Sequence, residues 1–77
     1  MARVRSLARG TQSVKVHPSE VDCFFQVVEA ADGMRYLHLS TFGSDSRASE
    51  SKSSQSIQLD EAAARELMQI LQQTFGL

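Results

Sequence analysis

An α+β fold, with a four-stranded antiparallel sheet followed by one C-terminal helix packed on it, is what this 77-residue chain predicts. Three observations carry the expectation. Residues 61–75 form one amphipathic run behind an acidic cap. The residues before that run alternate, or cluster aromatic and β-branched types, as strands do. The connections between these runs read as too short for a parallel crossover through a helix. A chain this short is marginal as a monomer and its helix is apolar on more than one side, so the expected unit is dimeric.

Residues 1–10 carry Arg3, Arg5 and Arg9 and no acid. They read as a flexible basic arm, either touching phosphates or simply frayed. The remaining residues, 11–77, read as one ββββα domain. A first strand is expected over 11–17, where Val14 and Val16 alternate with Lys15 and Pro18 ends the run. Pro18, Ser19 and Glu20 supply turn chemistry. Residues 21–30 follow, apolar on both parities through Phe24, Phe25, Val27 and Val28, a pattern expected where both sheet faces are covered. Ala31, Asp32 and Gly33 make the hairpin turn, with Asp-Gly as its signal.

The third strand, 35–42, separates its faces. Leu37, Leu39 and Thr41 share one parity; Tyr36, His38, Ser40 and Phe42 share the other. Residues 43–55 are serine-rich, carry Asp45, Arg47, Glu50 and Lys52, and contain nothing apolar larger than Ala48. That composition cannot offset the entropy of ordering, so a mobile loop is expected there. Ser56, Ile57, Gln58 and Leu59 alternate as the last strand.

Asp60 then suits an N-cap, and Glu61 suits the positive end of the helix dipole. Ala63 stands where a capping box would place Glu or Gln. Ala64, Leu67, Leu71 and Phe75 recur at helical spacing with Met68 beside them, and this stripe is the expected dimer interface. Gly76 is placed to end the helix.

Composition narrows the functional classes. Hydrophobic residues make up 42% of the chain, enough for one core, and a chain this short buries only about 60% of its unfolded surface. Eight Lys and Arg against nine Asp and Glu leave a formal charge of −1, with no global pull towards nucleic acid or membrane. The single cysteine, Cys23, excludes an internal disulfide framework and points to a reducing, cytoplasmic setting. No run reaches the roughly 18 apolar residues of a membrane span. Cys23 with His38 or His17 is a thin basis for nucleophilic catalysis, because a cysteine in an apolar strand is ordinarily a small hydrophobe. No zinc spacing and no glycine-rich phosphate loop is present, so neither an enzyme nor a cofactor is expected.

Binding chemistry is better represented. Aromatic side chains on an antiparallel sheet can stack the bases of a single strand while nearby cations hold its phosphates. Tyr36 and Phe42 are the stacking candidates; Lys15, Arg35, Arg47 and Lys52 are the phosphate candidates. The competing reading buries both aromatics and leaves the cations as solvated charges.

The order hairpin, polar loop, Ser-Ile-Gln-Leu strand and acid-capped helix resembles the C-terminal domain of the transcriptional positive-cofactor-four family. In pattern the likeness runs over residues 35–71. Leu37 to Phe42 match the family's alternating aliphatics ending in an aromatic, and Ser53 to Leu59 occupy the place of its last strand. The resemblance implies a homodimer joined through its helices, single-stranded DNA on the sheet, and a role in transcription regulation. The sequence departs from the family at Ser40, Ser54 and Gln55, where cations are usual, and at Gly43, where a second aromatic often lies. The alternative is a small protein-interaction or inhibitory accessory subunit that binds a protein partner and no nucleic acid.

Overall fold

The computed structural model describes residues 1–42 and 53–77. Four strands and one helix follow in order: β1 (Ala2–Arg3), β2 (Cys23–Glu29), β3 (Arg35–Phe42), β4 (Ser53–Leu59) and α1 (Glu61–Phe75). They form one sheet in the order β1-β4-β3-β2, with the helix at its C-terminal end. β2 pairs antiparallel with β3, and β3 antiparallel with β4, but β1 lies parallel to β4. The sheet is therefore mixed. The purely antiparallel arrangement predicted from short connections fails because the first strand sits at Ala2–Arg3, and the chain beyond it is long enough to return in parallel.

Residues 11–17 form no strand. Val14 and Val16 alternate there, yet they are 79% and 95% exposed, so their pattern meets no surface to bury against. Residues 53–55, loop-like by composition, belong to β4. Their serines and glutamine gain backbone pairing from β3 through Thr41↔Gln55 and Phe42↔Ser53. A register shift between Thr41 and Phe42 leaves one extra residue on β4, as in a β-bulge.

The β2–β3 hairpin closes on a three-residue loop. Ala30 N–H donates to the Met34 carbonyl (2.8 Å), and Gly33 N–H donates to the Ala30 carbonyl (3.0 Å). Asp32 Oδ1 accepts from Met34 N–H at 2.9 Å. Gly33 takes φ 86°, the left-handed position that such loops assign to glycine.

The helix begins where the sequence places it. Asp60 is extended, with φ −83° and ψ −179°, and its Oδ1 accepts from Ala63 N–H at 2.8 Å. Gly76, at φ 68° and ψ 33°, ends it with its N–H on the Gln72 carbonyl (2.8 Å). Glu61 and Arg65 pair at 2.7 Å one turn apart, an exposed contact worth about 0.3–0.5 kcal/mol.

Packing within one chain is sparse. The buried hydrophobic side chains among the described residues are Leu59 and Ala63, at the junction of β4 and α1. The helix meets the sheet along β4. Ala64 shares a cavity of about 180 Å³ with Val27, Leu37 and Leu59, which places the start of α1 on the face those residues occupy. The rest of that face stays open: Phe25 is 73% exposed and Val27 63%. The covering of both faces expected from β2 is thus absent within the single chain.

The chain exposes 7264 Å², against roughly 4,700 Å² for a folded monomer of this mass. Its radius of gyration is 14.8 Å, where a compact domain of this length has about 11.5 Å. The exposed stretch between β1 and β2 contributes to this excess.

Candidate nucleic-acid interface

The register assigns every described strand residue to one of two faces. Cross-strand partners share a face, and successive residues alternate. Phe25↔Leu39↔Ile57 and Val27↔Leu37↔Leu59 lie on one face, which is apolar. Phe24↔Ser40↔Ser56, Gln26↔His38↔Gln58 and Val28↔Tyr36 lie on the other, and Arg3↔Gln58 adds β1 to it. This second face carries aromatic residues at its two ends and a polar floor between them.

Tyr36 and Phe42 belong to that second face, as their common parity predicts, and both are half-buried. Six residues along β3 separate them by about 20 Å. At one end Phe42 packs against Phe24 in a tilted arrangement, with ring centroids 4.9 Å apart and planes inclined at 52°. Ser40, 7% exposed, is the partner of Phe24 across β2 and β3. In the middle, Gln58 Nε2 and His38 Nδ1 hydrogen-bond at 3.1 Å. At the other end Arg3 Nη1 donates to Tyr36 Oη at 3.4 Å, and its guanidinium carbon lies 5.9 Å from the ring centroid. That is cation–π range.

The predicted cations do not assemble around these aromatics as a set. Arg35 has the parity of Leu37 and so belongs to the apolar face, where it pairs with Glu29 at 3.1 Å. Lys15 lies exposed in the irregular segment before β2. Arg47 and Lys52 lie outside the described residues. The cation that does stand beside an aromatic is Arg3, from a segment whose composition reads as an arm. No periodicity flags a two-residue strand. The signal available in the sequence is the equal parity of Arg3 and Arg5.

Phe24 is one of two adjacent phenylalanines that sequence alone does not distinguish. The pairing Phe24↔Ser40 places it with Phe42, and Phe25↔Leu39 places its neighbour on the apolar face. Of the helix stripe, Ala64 and Leu67 are half-buried while Met68, Leu71 and Phe75 are exposed. Phe75 is 69% exposed. Cys23 is exposed and shares the apolar face with Leu39 and Ile57, bordering a cavity of about 220 Å³.

Among the described residues, no three His, Cys, Asp or Glu side chains gather as a metal site would need. No helix among them is long and apolar enough to cross a membrane. No family model matches the chain, and no curated protein or solved structure matches it.

Proposed function

We propose that this chain is one half of a homodimeric module that binds single-stranded nucleic acid in a regulatory role. The observation that carries the reading is the division of the sheet into two unlike faces. One has stacking groups at Tyr36 and at Phe24–Phe42, joined by the hydrogen-bonding floor of Gln26, His38, Ser56 and Gln58. Aromatic platforms linked by amide and hydroxyl groups suit unpaired bases, since each base offers a π-face and an unsatisfied edge. A duplex offers neither. The other face, with the exposed helix stripe, suits a second copy. The likeness of residues 35–71 to the positive-cofactor-four family supports the same reading.

The test is a fluorescence-anisotropy titration of labelled oligothymidylate and of a duplex at two salt concentrations. The single strand is expected to bind more tightly than the duplex, and its affinity to fall as salt rises, modestly because the chain has a formal charge of −1. Tyr36→Ala or Phe42→Ala is expected to weaken it by about 1–3 kcal/mol for a stacked base. Equal affinity for the duplex, or none for either, overturns the nucleic-acid reading. The open apolar surface then becomes the working surface, and the protein-partner reading takes its place.

A further inference from the structure

The parallel strand β1 brings a second pair of cations to the sheet. Ala2 pairs with Ile57 and Arg3 with Gln58, and Val4 N–H continues the ladder onto the Gln58 carbonyl at 2.8 Å. Continued by the same step, this register sets Arg5 level with Asp60, which in turn follows Leu59, the partner of Leu37. Arg5 therefore arrives at the Tyr36 end of the aromatic face. Arg3, Val4, Arg5, Tyr36 and Asp60 together line a cavity of about 310 Å³.

The electrostatics of this cavity favour an anion. Among the described residues, neither Arg3 nor Arg5 makes an ion pair, whereas Arg35 is taken by Glu29 and Arg65 by Glu61. Both guanidinium-bearing residues are exposed. Asp60 is the one acid in the lining, and its Oδ1 is engaged by Ala63 N–H at 2.8 Å as the helix cap. Two cations against one committed carboxylate leave a net positive mouth beside an aromatic ring. Arginine is suited to the role because its planar fork can bind two oxygens of one phosphate.

We infer that Arg3 and Arg5 form a phosphate clamp in which one internal phosphodiester of a bound single strand sits while the adjoining base stacks on Tyr36. This inference rests on the nucleic-acid reading above and adds to it the residues that hold the backbone. The clamp stands at the Tyr36 end of the aromatic face.

The full chain, with any affinity tag at its C-terminus, is titrated with unphosphorylated oligothymidylate across a salt series. Tyr36 is the single tyrosine and tryptophan is absent, so intrinsic emission reports on this site alone. Wild type is expected to show quenching of that emission together with a linear fall of log affinity with log salt. The Arg3→Gln, Arg5→Gln double variant is expected to reduce that slope by about 0.7, the value for the one single-strand phosphate that the clamp neutralises, and each single Gln variant to take a share of that loss. Arg3→Lys and Arg5→Lys, which keep the charge, are expected to restore it. Unchanged amide protection at Val4 confirms that β1 stays in place in each variant. Binding with quenching but with an unaltered slope in the double Gln variant overturns the clamp and leaves the nucleic-acid reading standing. Binding without quenching overturns the stacking at Tyr36 and the clamp with it. Absence of wild-type binding overturns both readings.

Discussion

Phe24 and Phe42 meet across the β2–β3 hairpin at 4.9 Å between ring centroids, although their Cα register partners are Ser40 and Ser53. The contact is diagonal, and it shields Ser40 in the middle of the sheet. Because Phe24 is itself 57% exposed, the pair is only partly committed to packing. Phe24→Ala and Phe42→Ala are each expected to cost less than the about 3–5 kcal/mol of a core phenylalanine. Their coupling in a double-mutant cycle is expected at about 0.5–1.5 kcal/mol, the usual size for an aromatic pair. Urea unfolding of the two single variants and the double variant measures it. A coupling near zero would mean that the rings touch without stabilising one another.

Self-association should make stability depend on protein concentration. Few side chains are buried among the described residues, and in the proposed dimer the second copy would supply the rest of the core. In that dimer the urea midpoint is expected to rise with concentration, and Leu71→Ala, which trims a 39%-exposed residue of the stripe, to lower it. If a second copy covers that stripe, the cost is about 2–5 kcal/mol per buried leucine. A stable monomer in sedimentation equilibrium at micromolar concentration would contradict this.

Asp60 links the last strand to the helix. Asp60→Ala removes the acceptor of Ala63 N–H and is expected to lower stability by about 0.5–2 kcal/mol. Asp60→Asn keeps an equivalent cap and should lose little. Thermal unfolding followed by circular dichroism compares the two; equal losses would assign the effect to charge instead of to the cap.

Gly33 holds φ 86° with open space around its α-carbon. A side chain would meet no neighbour there, so any penalty comes from the backbone alone. Gly33→Ala is expected to destabilise by about 1–2 kcal/mol, the cost of a left-handed residue with a Cβ, and urea unfolding reads it. Gain of stability on this substitution would mean that the loop readily adopts another turn.

Legibility varies with the kind of signal. Arg35–Phe42 and Glu61–Phe75 have the bounds their patterns predict, because strand alternation and capping chemistry are local. The hairpin turn is readable for the same reason, through Asp32 and Gly33. β1 is not. Ala2 and Arg3 have no strand preference of their own and exist as a strand only because the edge of β4 offers them partners. Val14 and Val16 show the reverse, an alternating pattern with no surface to cover. The site divides along similar lines. The shared face of Tyr36 and Phe42 and the separation of Arg35 from both follow from parity alone. The choice between Phe24 and Phe25 needs the strand register.

The parallel pairing of Ala2 with Ile57 also has a consequence for the order in which the protein can assemble during synthesis. β2 and β3 are joined by a tight loop and can pair as soon as both have left the ribosome. β1 emerges before either, yet its partner strand is the last of the four to be made. Until β4 arrives, the segment bearing Arg3 and Arg5 has no place in the sheet, and a pairing so distant in sequence closes late. The cavity at Tyr36 is thus completed only when β4 has docked, so a nascent chain interrupted before Leu59 would carry the aromatic strand without its basic flank.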